Sequence, residues 1–223
     1  MIIENKSAEE KKTCGFELEL HALMSFPNGF DPEKESLPMI VFLHGAGERG
    51  SNLDMLKVYG IPKLFSINNE YDGMRVITMA PQCPANMIWA DFEPQLFKFI
   101  EETAKKYNAD PDRISLTGVS MGGFATWSLA CSHSEFFSAF APVCGGGMEW
   151  RIGEIKVKRP ILAYHGDQDP IVYFQSSKDM VDAYNRAGGN AKLVTCFGWE
   201  HNSWIPAYEH STDLVRFLYN SHR

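Results

Sequence analysis

Ile114-Ser115-Leu116-Thr117-Gly118-Val119-Ser120-Met121-Gly122-Gly123-Phe124 is an apolar run that ends in a G-x-S-x-G pentad and passes into a helical run reaching Cys131. A strand, a tight turn and a helix in that order form the context in which the pentad has chemical meaning. The glycines are there for a steric reason: a serine on a strained turn leaves no room for side chains two residues before or after it. Such a turn lifts the hydroxyl above the sheet edge, at the start of a helix whose free N–H groups favour developing negative charge.

Outward from the pentad, short and nearly continuous apolar runs bounded by Gly or Pro read as strands at 16–24, 39–44, 75–80, 114–119, 138–143, 161–165 and 191–197. Runs of this kind suit strands covered on both faces. Between them, Leu96, Phe99, Ile100, Thr103, Ala104 and Tyr107 lie at helical spacing, as do Met180, Val181, Tyr184 and Ala187 ahead of Gly188-Gly189. Leu214, Val215 and Leu218 give the last helix its apolar side. The alternation predicts an α/β fold, with a mostly parallel central sheet and helices on both faces. Function in such a sheet gathers at the carboxyl ends of the strands.

A nucleophilic serine needs a base and an acid, which in this architecture follow it in the order Ser, acid, His. Five histidines follow Ser120. His133 ends the nucleophile's own helix, and His165 closes a strand ahead of any acid on the next loop. His210 is expected to open the final helix, and the penultimate His222 to fray. His201 remains, in Gly198-Trp199-Glu200-His201-Asn202-Ser203-Trp204, between the last strand and the last helix.

The acid should lie in His165-Gly166-Asp167-Gln168-Asp169-Pro170, which offers two carboxylates. The proline fixes the backbone of Asp169 and so the direction of its side chain. Asp167 is better placed to bond backbone N–H groups of the turn. Asp169 is therefore expected to orient His201. An oxyanion hole is expected from the glycine-rich loop His44-Gly45-Ala46-Gly47-Glu48-Arg49-Gly50, with the N–H of Ala46 as one donor and that of Met121 as the other. The loop is no phosphate cradle, because G-x-x-x-x-G-K-[ST] is missing from the chain.

Composition narrows the classes. The 223 residues, 44% hydrophobic and 13% aromatic, fit a single globular domain spanning 1–223. The net charge of −7 disfavours nucleic acid. No apolar stretch is long enough to span a membrane. The opening residues carry no signal-peptide core, and the five cysteines contain no C-x-x-C pair. A cytoplasmic protein with reduced thiols is expected, needing neither metal nor organic cofactor.

Several blocks together resemble the α/β-hydrolase fold, and within it the compact serine esterases of the phospholipase/carboxylesterase-like (predicted peptidase) group. They are Leu43–Gly50, Ala80-Pro81-Gln82-Cys83-Pro84, Asp112-Arg113-Ile114 leading into the pentad, Ala141–Gly147, His165–Asp169 and His201-Asn202-Ser203-Trp204. The resemblance implies Ser120, Asp169 and His201 as a catalytic triad, and ester hydrolysis through an acyl-enzyme. The segment between Gly147 and Arg159 is too short for a sizeable lid, which favours an open cleft for small-molecule esters with short-chain or carbohydrate-linked acyl groups. Trp89, Trp150 and Trp204 follow strand-end loops and are candidate substrate contacts. Cys83 and Cys144 are read as structural. A thioesterase or small serine peptidase would use the same triad. A binding protein on the same fold is the alternative from another class.

Overall fold

The computed structural model describes residues 8–14, 18–68 and 71–223. Eight strands form one sheet in the order β1-β2-β4-β3-β5-β6-β7-β8. They are β1 (Ala8–Cys14), β2 (Leu18–Ser25), β3 (Leu37–Leu43), β4 (Ile77–Gln82), β5 (Ala109–Val119), β6 (Ala139–Val143), β7 (Ile161–Gly166) and β8 (Ala191–Cys196). The pairs β1–β2 and β2–β4 are antiparallel and the other five are parallel. The helices are α1 (Gly60–Asn68), α2 (Glu93–Lys106), α3 (Met121–Ser132), α4 (Phe174–Arg186) and α5 (Asp213–Asn220).

The two faces of the sheet can be read along β3. Met39, Val41 and Leu43 enter a core shared with α2, α3 and α4, whereas Ile40 and Phe42 enter a second core with α1 and α5. An apolar side chain is needed at every position of such a strand, so its sequence shows a continuous run rather than an alternation. This is the α/β-hydrolase arrangement anticipated from the sequence.

Differences from the expected elements have local causes. The charged run Glu9-Glu10-Lys11-Lys12 is an edge strand, paired with β2 residue for residue. It carries no apolar period to read, and charge is common on sheet edges because it discourages further pairing. Phe16, at the start of the expected 16–24 strand, lies outside the described residues. β5 begins at Ala109 rather than Ile114, because Leu37 pairs with Ala109 and Met39 with Ile114, leaving 110–113 as an irregular insertion. Helix α1, with Gly60 at its start and Pro62 in its first turn, was not anticipated. His210 closes a single π turn over Ile205–Glu209, and the final helix opens at Asp213. The C-terminus is tied down rather than frayed: Arg223 N–H donates to Asp112 O at 2.9 Å, and its guanidinium reaches Asp112 and Glu135 O. No helix among the described residues is long and apolar enough to cross a membrane.

Candidate active site

Ser120 sits between β5 and α3 with φ +55° and ψ −114°, a conformation that costs a non-glycine residue about 1–3 kcal/mol. Its neighbours enforce it. A Cβ on Gly122 would lie 1.9 Å from Leu43 O, and one on Gly118 would lie 2.4 Å from Gly122 O. The backbones of β3, β5 and α3 therefore meet at a distance only glycine allows. The Ser120 N–H donates to Val143 O at 2.9 Å, fixing the turn to β6.

The carboxyl ends of β5, β7 and β8 bring three side chains into line. Ser120 Oγ lies 2.9 Å from His201 Nε2, and His201 Nδ1 lies 2.7 Å from Asp169 Oδ2. Because Nδ1–H donates to the carboxylate, Nε2 is left as the acceptor facing the serine hydroxyl. Asp169 is buried, and its other oxygen accepts the N–H groups of Ile171 and Val172, both at 2.9 Å. Burial raises its pKa, but the His201 bond and the two amides outweigh that, so the group titrates below the ordinary aspartate range. Asp167 is turned elsewhere: its carboxylate accepts the Gly198 N–H at 2.7 Å.

One contact with the acid was missed in the sequence. His165 Nε2 approaches Asp169 Oδ2 at 3.2 Å and Val172 O at 2.8 Å, and its Nδ1 is 2.7 Å from Ser177 Oγ. The ring is buried, which lowers its pKa and keeps it neutral. It braces the Asp169 loop from below. The available signal was its position four residues before Asp169 in the same block.

The loop after β3 holds Ala46 at the start of a short 3₁₀ turn, Ala46–Glu48. As first residues of helical turns, Ala46 and Met121 have amides with no acceptor within their own turn. Three side chains brace this loop. His44 Nδ1 donates to Gly45 O at 2.6 Å, while its Nε2 accepts the Cys83 N–H at 2.9 Å; burial holds its pKa down to about 4. Trp89 Nε1 donates to His44 O at 3.1 Å. Tyr59 accepts the Gly45 N–H at 3.1 Å and donates to Glu48. Nothing in the residues around Tyr59 marked it in the sequence.

The three candidate tryptophans fare differently. Trp204 packs its ring edge-on to His201 at 5.7 Å and stacks on Tyr59. Trp89 is buried beneath the Ala46 loop, against the His44 ring. Trp150 is 71% exposed on a 3₁₀ turn, Glu149–Glu154, and no hydrogen bond or ring contact places it at Ser120. Cys83, Cys131, Cys144 and Cys196 are buried free thiols. Burial pushes Cys144 up to about 12, so its thiolate is strongly disfavoured.

The sequence profile of the dienelactone hydrolase family matches residues 68–205, more than half of the chain, and the match covers Ser120, Asp169 and His201. The chain belongs to the dienelactone hydrolase family. Within that setting it is 30% identical over 89 residues to a bifunctional acetylxylan esterase/xylanase of Neocallimastix patriciarum, a stretch covering 39% of this chain and 13% of that protein. It is 25% identical to a probable feruloyl esterase C of Aspergillus terreus, over 75% of this chain and 61% of the relative. A thermostable esterase of known structure superimposes with a TM-score of 0.86 at 29% identity, covering 97% of this chain and 63% of that one. The chain thus spans less than two thirds of the length of each of these proteins.

Proposed function

We propose that this member of the family is a serine esterase that hydrolyses small-molecule carboxylic esters through an acyl-enzyme. The observation that carries this reading is the unbroken line Asp169–His201–Ser120, with separations of 2.7 and 2.9 Å, on a turn strained to expose the hydroxyl. Ser120 Oγ attacks the ester carbonyl as His201 Nε2 takes its proton. The oxyanion that forms is held by the Ala46 and Met121 N–H groups. His201 then protonates the leaving alcohol. A water that loses its proton to His201 attacks the acyl-enzyme and frees the acid. Asp169 keeps His201 in the required tautomer and stabilises its imidazolium.

Trp204, beside His201, is the candidate tryptophan whose ring packs directly against the triad. The names of the relatives make acetyl and feruloyl esters of carbohydrate the first substrates to try. The test is hydrolysis of p-nitrophenyl acetate, together with labelling by a fluorophosphonate. Activity and labelling in the wild type, both lost in Ser120→Ala, support the reading. A folded wild type that does neither would remove it.

A further inference from the structure

A cavity of about 530 Å³ lies along α3, the helix that Ser120 opens, and reaches Met121, the residue after it. Met121, Phe124, Ala125, Trp127, Ser128 and Cys131 line it from α3, along one broad face of the helix. From Met121 to Cys131 the helix rises about 15 Å, so the cavity extends from the residue that follows Ser120 in the chain to the far end of α3. Two segments wall it on either side: 88–90, beyond the end of β4, and Met148 with Arg151 from beyond the end of β6. It therefore needs no inserted lid, which is why the short 148–158 segment gave no hint of it.

The lining indicates what the cavity takes. Three of its polar side chains are already bound to one another: Arg151 Nη1 donates to Ser128 Oγ at 2.6 Å and Ser128 donates in turn to Glu93, while the buried Trp127 indole N–H has no partner among the described residues. A substrate has few polar groups to satisfy there. The rest of the wall is apolar, and Met121, Met148 and Met180 contribute three thioethers. Unbranched and polarizable, methionine fits itself around flexible partners. Acetyl would leave such a volume empty.

We propose that this cavity is the acyl pocket, and that the acyl group it takes is an unbranched apolar chain of medium length, octanoyl rather than acetyl. The proposal rests on Ser120 being the nucleophile, because it assigns the space next to that residue. Each methylene moved from water into the pocket is expected to raise kcat/KM about fourfold.

The experiment is kcat/KM on p-nitrophenyl acetate, butanoate, hexanoate, octanoate and 3-phenylpropanoate, in the wild type and in Gly147→Leu. A Cβ at Gly147 would lie 2.9 Å from Met180 Cε and 3.4 Å from Trp127 Cβ, so a leucine there grows into the cavity against a side chain that can swing. The octanoate-to-acetate ratio should rise steeply in the wild type and fall at least tenfold in Gly147→Leu. A ratio within one protein does not depend on the fraction folded. In parallel, calorimetry should show octanoate anion binding to Ser120→Ala and no binding to Ser120→Ala with Gly147→Leu. A flat chain-length profile, an unchanged ratio in Gly147→Leu, or a preference for phenylpropanoate over octanoate overturns the proposal. If the wild type cleaves no ester, the esterase reading fails instead, and calorimetry alone decides whether the cavity binds a chain.

Discussion

Tyr59 stacks on Trp204 with ring centroids 5.1 Å apart, while its hydroxyl accepts the Gly45 N–H at 3.1 Å. One side chain thus touches the loop that presents Ala46 and the tryptophan that packs on His201. Burial, with the Glu48 carboxylate beside it, raises the pKa of Tyr59, so the hydroxyl stays neutral and donates to Glu48.

Tyr59→Phe keeps the stack and removes the hydroxyl. The Gly45 N–H and Glu48 each lose a partner, which should destabilise the protein by about 1–3 kcal/mol. With the Ala46 loop loosened, kcat on a p-nitrophenyl ester should fall about tenfold, with KM little changed, since in the proposed mechanism the loop meets the transition state rather than the ground state. Urea denaturation and steady-state kinetics on the same preparation measure both. An unchanged kcat would show that the loop holds its position without Tyr59.

The two carboxylates of the β7 loop should separate cleanly. Asp169→Asn leaves His201 free to take the wrong tautomer and should lower kcat about 10⁴-fold. Among the described contacts the Asp167 carboxylate bonds only the Gly198 N–H, at 2.7 Å, so Asp167→Asn should change kcat less than threefold and cost about 1 kcal/mol of stability. Reversed effects would move the acid to Asp167.

Gly122→Ala is expected to be far worse than its size suggests. The added methyl meets the backbone oxygen of Leu43 at 1.9 Å, and backbone in a central strand cannot swing aside as a side chain could. Destabilisation above about 4 kcal/mol, or failure to yield soluble protein, is the expected outcome. A variant of near-normal melting temperature would mean that the strand and helix can separate at the turn.

Acid should weaken the fold through His44. Its pKa is about 4 when folded, against 6.5 for the free side chain, so the unfolded chain binds the proton more readily. The stability His44 contributes is fully present above about pH 6.5 and is lost as the pH falls towards 4, amounting to about 3 kcal/mol. Protonation at Nε2 also removes the acceptor of the Cys83 N–H. Denaturation curves at pH 7 and pH 4.5 should show a smaller pH-dependent loss in His44→Gln than in the wild type. Equal losses would place the acid sensitivity elsewhere, with His165 the next group to test.

Much of this architecture could be read in advance because its strands are buried on both faces. β3, β6 and β7 announce themselves as apolar runs, and their ends carry the glycines that close approach demands. Ser120, Asp169 and His201 were named from chain order, and the fold sets them within hydrogen-bond reach of one another. What escaped was whatever depends on distant partners. β1 has no apolar period, since an edge strand owes its place to backbone pairing with β2. Tyr59 lies in a stretch without periodicity and meets Gly45, Glu48 and Trp204 only once the chain has folded. Trp89 and Trp150 look alike in sequence, yet one supports a loop from beneath and the other faces water. The cavity beside α3 is made by segments far apart in the chain, so no local pattern could disclose it.

The positive φ of Ser120 carries an evolutionary consequence. Glycine would occupy that position without strain, so Ser120→Gly should be about as stable as the wild type or more so, whereas Ser120→Ala retains the penalty. Melting curves of the two variants would measure the difference directly. Drift at this codon towards an inert protein is then energetically downhill, and a lineage released from selection for turnover would gain robustness as it lost its chemistry.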